Sequence, residues 1–193
     1  VDRAGGGKTN LLCHLAKLNS ELEPTLFLGG RINITSDISL ISVLSVSLGA
    51  DSKCDPYEYI FIINQLLEEY QCHATIFIDG INENRDIRSL NIALNKLCKA
   101  LESTRFRFVF SCRDIYWSFF ASSDWVKSSN IVEGNLYSFS RREQEHALEA
   151  YLKYFRIEVR LGPLAIERCK HPLLLRFFCE AYSGHGADPV NLG

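Results

Sequence analysis

Two rhythms of apolar residues run along this chain. Leu11, Leu12, Leu15 and Ala16 recur at helical spacing over Thr9 to Leu18. The run TLFLGG at 25–30 is instead short, continuous and closed by two glycines, which predicts a buried strand. Helical spacing returns at Ile38, Ile41, Leu44 and Leu48. A further helix start has a visible cause, with Asp55 as N-cap, Pro56 at the first helical position and Glu58 three residues after the cap.

ATIFID at 74–79 is an apolar run that stops abruptly on an aspartate, the pattern of a central parallel strand covered on both faces. Ile87, Leu90, Leu94, Leu97 and Leu101 outline another long helix. FRFVFSCRD at 106–114 predicts a strand, and NIVEGNLYSF at 130–139 a short strand leading into a turn. Ser140 and Glu143 form a capping box for a helix carrying Ala147, Ala150, Tyr151 and Tyr154, and helical patterns then cover Leu161–Cys169 and Pro172–Tyr182. Strands alternating with helices predict an α/β fold with a parallel sheet, and the tail predicts a small helical subdomain from residue 140 onward.

Chemistry concentrates where the patterns break. The Walker A form G-x-x-x-x-G-K-[ST] wraps phosphates because its glycines let successive backbone N–H groups point inward at the positive end of the following helix. Residues 2–9 read Asp-Arg-Ala-Gly-Gly-Gly-Lys-Thr, so Gly7, Lys8 and Thr9 match and Asp2 replaces the leading glycine. Ala4, Gly5, Gly6, Gly7, Lys8, Thr9 and Asn10 are therefore the expected nucleotide-binding segment. Lys8 is expected to reach the β- and γ-phosphates and the Thr9 hydroxyl to ligate Mg²⁺.

Asp79 ends an apolar strand and Glu83 follows in FIDGINEN. A carboxylate at a strand tip holds a hydrated Mg²⁺, and a following acid orients a water, which makes this a Walker B candidate. Arg113 stands at the end of the next apolar run. Ligands of α/β sheets sit outside the carboxyl ends of the strands, where a guanidinium can meet a γ-phosphate.

Composition narrows the class without choosing within it. The 193 residues are 47% apolar with a net charge of −2, which fits a globular protein and gives no electrostatic case for direct nucleic-acid binding. The cationic stretch from Lys153 to Arg176 reads as a solvated helix face. Seven scattered cysteines without Cys/His zinc spacing read as reduced core thiols, and no apolar run reaches the length of a membrane span or a signal peptide, so the expected location is the cytoplasm with no membrane partner. Methionine is absent and the first motif begins at residue 2, so the sequence reads as an excerpt of a longer protein.

With these motifs in order, the chain resembles the STAND class of P-loop NTPases, and within it the NACHT branch of the prokaryotic, antiviral-defence type. The matching parts are AGGGKTNLL, IFIDGINE, FVFSCRD, LYSFSRREQEHALEAY and CKHPLLLRFFCEAY. The resemblance implies a P-loop NTPase core over 1–139, with its first strand missing from the sequence, and the start of a helical subdomain over 140–193. It also implies an ATP/ADP switch using Mg²⁺ that hydrolyses slowly and assembles into a homo-oligomer when ATP-bound. Effector and sensor domains would lie outside this sequence.

By the same resemblance Lys8 and Thr9 hold phosphate and metal, Asp79 the metal, Glu83 the attacking water and Arg113 the γ-phosphate, while Pro172 packs on the adenine. Asp2 departs from the pattern, as do Cys169 where a glycine is usual and Asn82 where many relatives carry a second acid whose loss would slow hydrolysis. Two other readings stay open: a P-loop kinase of a small molecule, with Arg141 and Arg142 imitating a lid, and a nucleotide-binding scaffold without turnover.

Overall fold

The structure is a computed structural model and describes residues 7–29, 39–51, 53–128, 131–136, 138–158 and 161–183. It divides into two compact units, one of Val1 and Lys8–Gly134 and the other of Asp2–Gly7 and Asn135–Gly193. The first is built as α1 (Lys8–Ser20), β1 (Thr25–Gly29), α2 (Leu40–Ser47), α3 (Pro56–Glu69), β2 (Ala74–Asp79), a single 3₁₀ turn at Ile81–Glu83, α4 (Ile87–Ala100), β3 (Phe106–Phe110), α5 (Asp114–Ala121) and α6 (Asp124–Ser128).

The three strands form one parallel sheet in the order β1-β2-β3, with Gly29 opposite Asp79 and Ile78 opposite Phe110. β2 is the central strand, and its continuous apolar run follows from that position: Ala74 to Ile78 are all buried. Alternate residues serve opposite faces. Ala74, Ile76 and Ile78 join the larger core with Leu44, Ile60, Leu90, Leu94 and Leu97, from α2, α3 and α4. Phe77 packs on the other face with Leu12 and Ala16 of α1. Helices therefore cover both faces, as the sequence predicted. Leu94 is fully buried, so Leu94→Ala would cost about 2–5 kcal/mol.

The helix caps form where the sequence placed them. The Asp55 carboxylate accepts the N–H groups of Tyr57 and Glu58, each at 2.9 Å. Trp125 anchors α6 by donating its ring N–H to Asn91 at 2.8 Å while its ring meets Phe110 and Phe120 edge-on.

Three strand expectations are corrected. Among the described residues β1 is an edge strand and not a buried one, with Phe27 38% exposed. β3 stops at Phe110, because Arg113 takes the N-cap position of α5 and turns the chain into a helix. Residues 131–136 and 138–139 form no strand. The alternation there is two apolar residues long, and Val132 is 97% exposed, so no buried face holds that segment extended against a neighbour.

The second unit is helical, with α7 (Arg141–Phe155), α8 (Pro163–Arg168) and α9 (Pro172–Tyr182). The capping box is present in both directions: Ser140 N–H donates to Glu143 at 2.7 Å and Glu143 N–H to the Ser140 hydroxyl at 3.4 Å. The Ser140 hydroxyl and then the Ser140 N–H, both bonding to its charged form, hold the Glu143 carboxyl below the usual carboxylate range. Ile157, Cys169, Leu175 and Cys179 make the core of this unit. Two of its exposed cationic side chains are paired, Lys170 just past α8 with Glu167 and Arg176 on α9 with Glu180, each at 2.7 Å.

Candidate functional site

The parallel register brings the carboxyl ends of β2 and β3 side by side and sets the N-terminus of α1 beside them. Gly7, just before α1, has φ +85°, a conformation that an L side chain rarely adopts. The first turn of any helix leaves its N–H groups without intrahelical acceptors, so a helix start here offers donors to an anion. The Thr9 hydroxyl donates to Asp79 Oδ2 at 2.6 Å across 70 residues of sequence. The Walker A and Walker B candidates thus meet in space.

Beyond Asp79 the chain turns within one 3₁₀ turn. Gly80 has φ +70° and ψ 50°, and a Cβ there would come within 3.2 Å of the Glu83 side chain. The Glu83 N–H donates to the Gly80 carbonyl at 2.8 Å, closing the turn. Glu83 is exposed, and its carboxylate lies 3.7 Å from the Arg113 guanidinium. Both side chains are about two-fifths exposed, so this pair contributes at most about 1 kcal/mol.

Two polar residues support the site from beneath: Ser111, to which the sequence did not point, and Asn82, which it marked only as a departure from the family's second acid. Ser111 is 3% exposed; its hydroxyl accepts the Gly80 N–H at 2.7 Å and donates to Asp79 Oδ1 at 2.5 Å. Asn82 is 8% exposed and its amide oxygen accepts the Arg113 N–H at 2.8 Å. Asn82 thus anchors the strand-end arginine through its backbone. Ser111 could have been found from its place one residue past the β3 run, beside Asp79 across the sheet. Asn82 was marked in the sequence only as a missing second acid; its anchoring role gave no signal, because its burial depends on the 3₁₀ turn.

Cys112, between Ser111 and Arg113, is 1% exposed, and burial pushes its thiol up to about 11, partly offset by the charge of Lys8. Downstream, Asp86 caps α4 by accepting the N–H groups of Arg88 and Ser89. Those bonds, with the Ser89 hydroxyl, hold its carboxyl below the ordinary range.

The expected site residues are thus partly assembled. Thr9 and Asp79 are in contact, as are Glu83 and Arg113, and Lys8 and Asn10 lie in the first turn of α1. Ala4, Gly5 and Gly6, with Asp2, lie outside the described residues. Pro172 is at the first position of α9 in the second unit, after His171.

The oxygen donors fit Mg²⁺ bound with a phosphate better than a metal caged by protein alone. One hydroxyl and one carboxylate converge, which suits a cation that keeps water and takes phosphate oxygens. Among the described residues no group of three or more His, Cys, Asp and Glu side chains gathers to hold a metal by itself. No described helix is long and apolar enough to cross a membrane.

A parallel sheet clad on both faces, with a glycine–lysine–threonine helix start touching a strand-end aspartate, has the architecture of the P-loop NTPase fold. Solved structures of that fold match this chain. The ORC2 protein of Aeropyrum pernix in its ADP form superposes with a TM-score of 0.62 at 15% identity, covering 98% of this chain and 57% of that one. Cdc6p from Pyrobaculum aerophilum gives 0.56 at 15% identity, covering 98% and 56%. The Aeropyrum ORC2 protein in ADPNP–ADP complexes gives 0.58 at 14% identity, covering 97% and 56%. The chain therefore spans little more than half the length of the structures it matches. No family model and no curated protein matches the sequence.

Proposed function

We propose that the chain is the ATP-binding, slowly hydrolysing switch domain of a STAND-class, NACHT-like protein, with its NTPase core over 1–139 and a helical subdomain beginning at 140. The observation that carries this reading is the 2.6 Å bond between Thr9 and Asp79, which joins the two motifs expected to share one Mg²⁺. The ADP and ADPNP forms of the Aeropyrum ORC2 protein support an adenine nucleotide as the ligand. The motif order, from AGGGKTNLL through FVFSCRD to CKHPLLLRFFCEAY, supports the NACHT-like branch over other P-loop proteins.

In this reading Ala4 to Asn10 cradle the phosphates, with Lys8 neutralising them and Thr9 and Asp79 holding Mg²⁺. The cation would supply charge neutralisation between the phosphates. Glu83 orients a water for attack, Arg113 meets the γ-phosphate and leaves Glu83 to do so, and Pro172 packs on adenine. Nucleotide state controls homo-oligomerisation in defence or stress signalling in the cytoplasm, through effector and sensor domains beyond this sequence.

The test is titration of a fluorescent ATP analogue with Mg²⁺, alongside phosphate release. Lys8→Ala is expected to weaken binding by at least about 100-fold. Glu83→Gln is expected to bind normally and to hydrolyse about 10²- to 10⁴-fold more slowly. Undiminished binding by the Lys8 variant would overturn the assignment.

A further inference from the structure

Asp79 is held through both carboxylate oxygens, and the two bonds differ in kind. Oδ2 receives the Thr9 hydroxyl at 2.6 Å on an exposed side, where water or a cation can exchange with it. Oδ1 receives the Ser111 hydroxyl at 2.5 Å, and Ser111 is 3% exposed.

The direction of the second bond follows from its neighbour. The Gly80 N–H can only donate, and it points at Ser111 Oγ from 2.7 Å. The single Ser111 proton is then directed to Asp79. The Ser111 backbone is fixed as well, its N–H on the Ile78 carbonyl at 3.0 Å and its carbonyl accepting the Ile81 N–H at 3.0 Å. Rotation of the carboxylate would break its bond to the buried Ser111 hydroxyl, which is itself held by the Gly80 N–H.

We propose that Ser111 is the positioning residue of the site, locking the carboxylate plane of Asp79 so that Oδ2 alone faces the cation. The inference rests on the P-loop reading above and adds a specific control of metal affinity to it. Partners that orient a metal-organising carboxylate typically change metal affinity by about 10- to 100-fold when removed.

The experiment measures Mn²⁺ binding by electron paramagnetic resonance on the full chain saturated with ADP. ADP affinity in EDTA and the melting temperature are recorded alongside. Ser111→Ala removes the hydroxyl; Ser111→Cys is nearly isosteric, a weak donor, and serves if the alanine variant does not fold. Either variant is expected to bind Mn²⁺ at least about 10-fold more weakly, with its metal-free ADP affinity unchanged.

Mn²⁺ affinity within about twofold of wild type, in whichever variant folds, overturns the role of Ser111 and leaves the nucleotide reading standing. An equal loss of metal-free ADP affinity makes Ser111 merely structural and overturns it too. A wild-type chain that binds ADP but takes up no Mn²⁺ removes the cation site, and one that binds no ADP removes the nucleotide reading with it.

Discussion

The two ends of the parallel sheet carry similar amounts of polar chemistry and arrange it in opposite ways. At the amino ends, Asn64 is 6% exposed; its amide oxygen accepts the Arg105 N–H and its NH₂ donates to Glu68, both at 2.8 Å. Glu23 lies 3.8 Å from His73 and 3.6 Å from Arg107, and Arg107 lies 3.0 Å from the His73 ring. Each of these polar groups closes on another, which secures the strand ends. At the carboxyl ends, buried Ser111 and Asn82 hold Asp79 and the Arg113 backbone from beneath, and the groups they hold face outward. Buried side chains that orient exposed ones are the mark of a site, whereas polar groups that satisfy one another mark a structural end.

Substitutions at the two ends should separate these roles. The largest effect is expected from Asp79→Asn, which should lower Mg²⁺-dependent nucleotide affinity by about 100-fold with little change in melting temperature. Parallel loss of metal-free binding would blur the contrast. Thiol reactivity comes next. Burial raises Cys112 to about 11, so its reactive thiolate appears only as pH climbs toward that value, while Cys54 is exposed. At pH 8 Cys112 should react with Ellman's reagent roughly 100-fold more slowly than Cys54, as mass-spectrometric mapping can show. Rapid labelling of Cys112 would mean that the carboxyl ends open readily.

At the opposite end, Asn64→Ala leaves the Arg105 N–H without its acceptor and should cost about 1–3 kcal/mol in denaturant unfolding, with nucleotide affinity unchanged. Glu23→Gln should be smallest, below about 1 kcal/mol, because its partners are solvated.

Much of this was legible in the sequence wherever a local cause fixed the outcome. Asp55, Ser140 and Glu143 announced helix starts because capping depends on residues a few positions apart. β2 was legible because a strand buried on both faces must be apolar throughout. The edge position of β1 was not, since a short apolar run looks the same at the centre and the edge until its neighbours are known. The helix at α5 was hidden by the strand pattern running into it. In the candidate site, Thr9 and Asp79 were readable as motif residues, and the sheet register brought them together. The supporting roles of Ser111 and of Asn82, which the sequence marked only as a missing second acid, were not legible because they lie in bonds across 31 or 32 residues, which no spacing rule reveals.

The left-handed bend at Gly80 makes a rigid ruler of the segment from Asp79 to Glu83. One acid ends a strand, the other closes a three-residue 3₁₀ turn, and the side chain of the second lies 3.2 Å from where a Cβ of residue 80 would sit. The spacing between the two carboxylates is thereby a property of the main chain. Lengthening this segment by one residue would carry Glu83 away from Asp79, whose place is set by the register of β2, so the distance between the two acids would no longer be fixed by the turn.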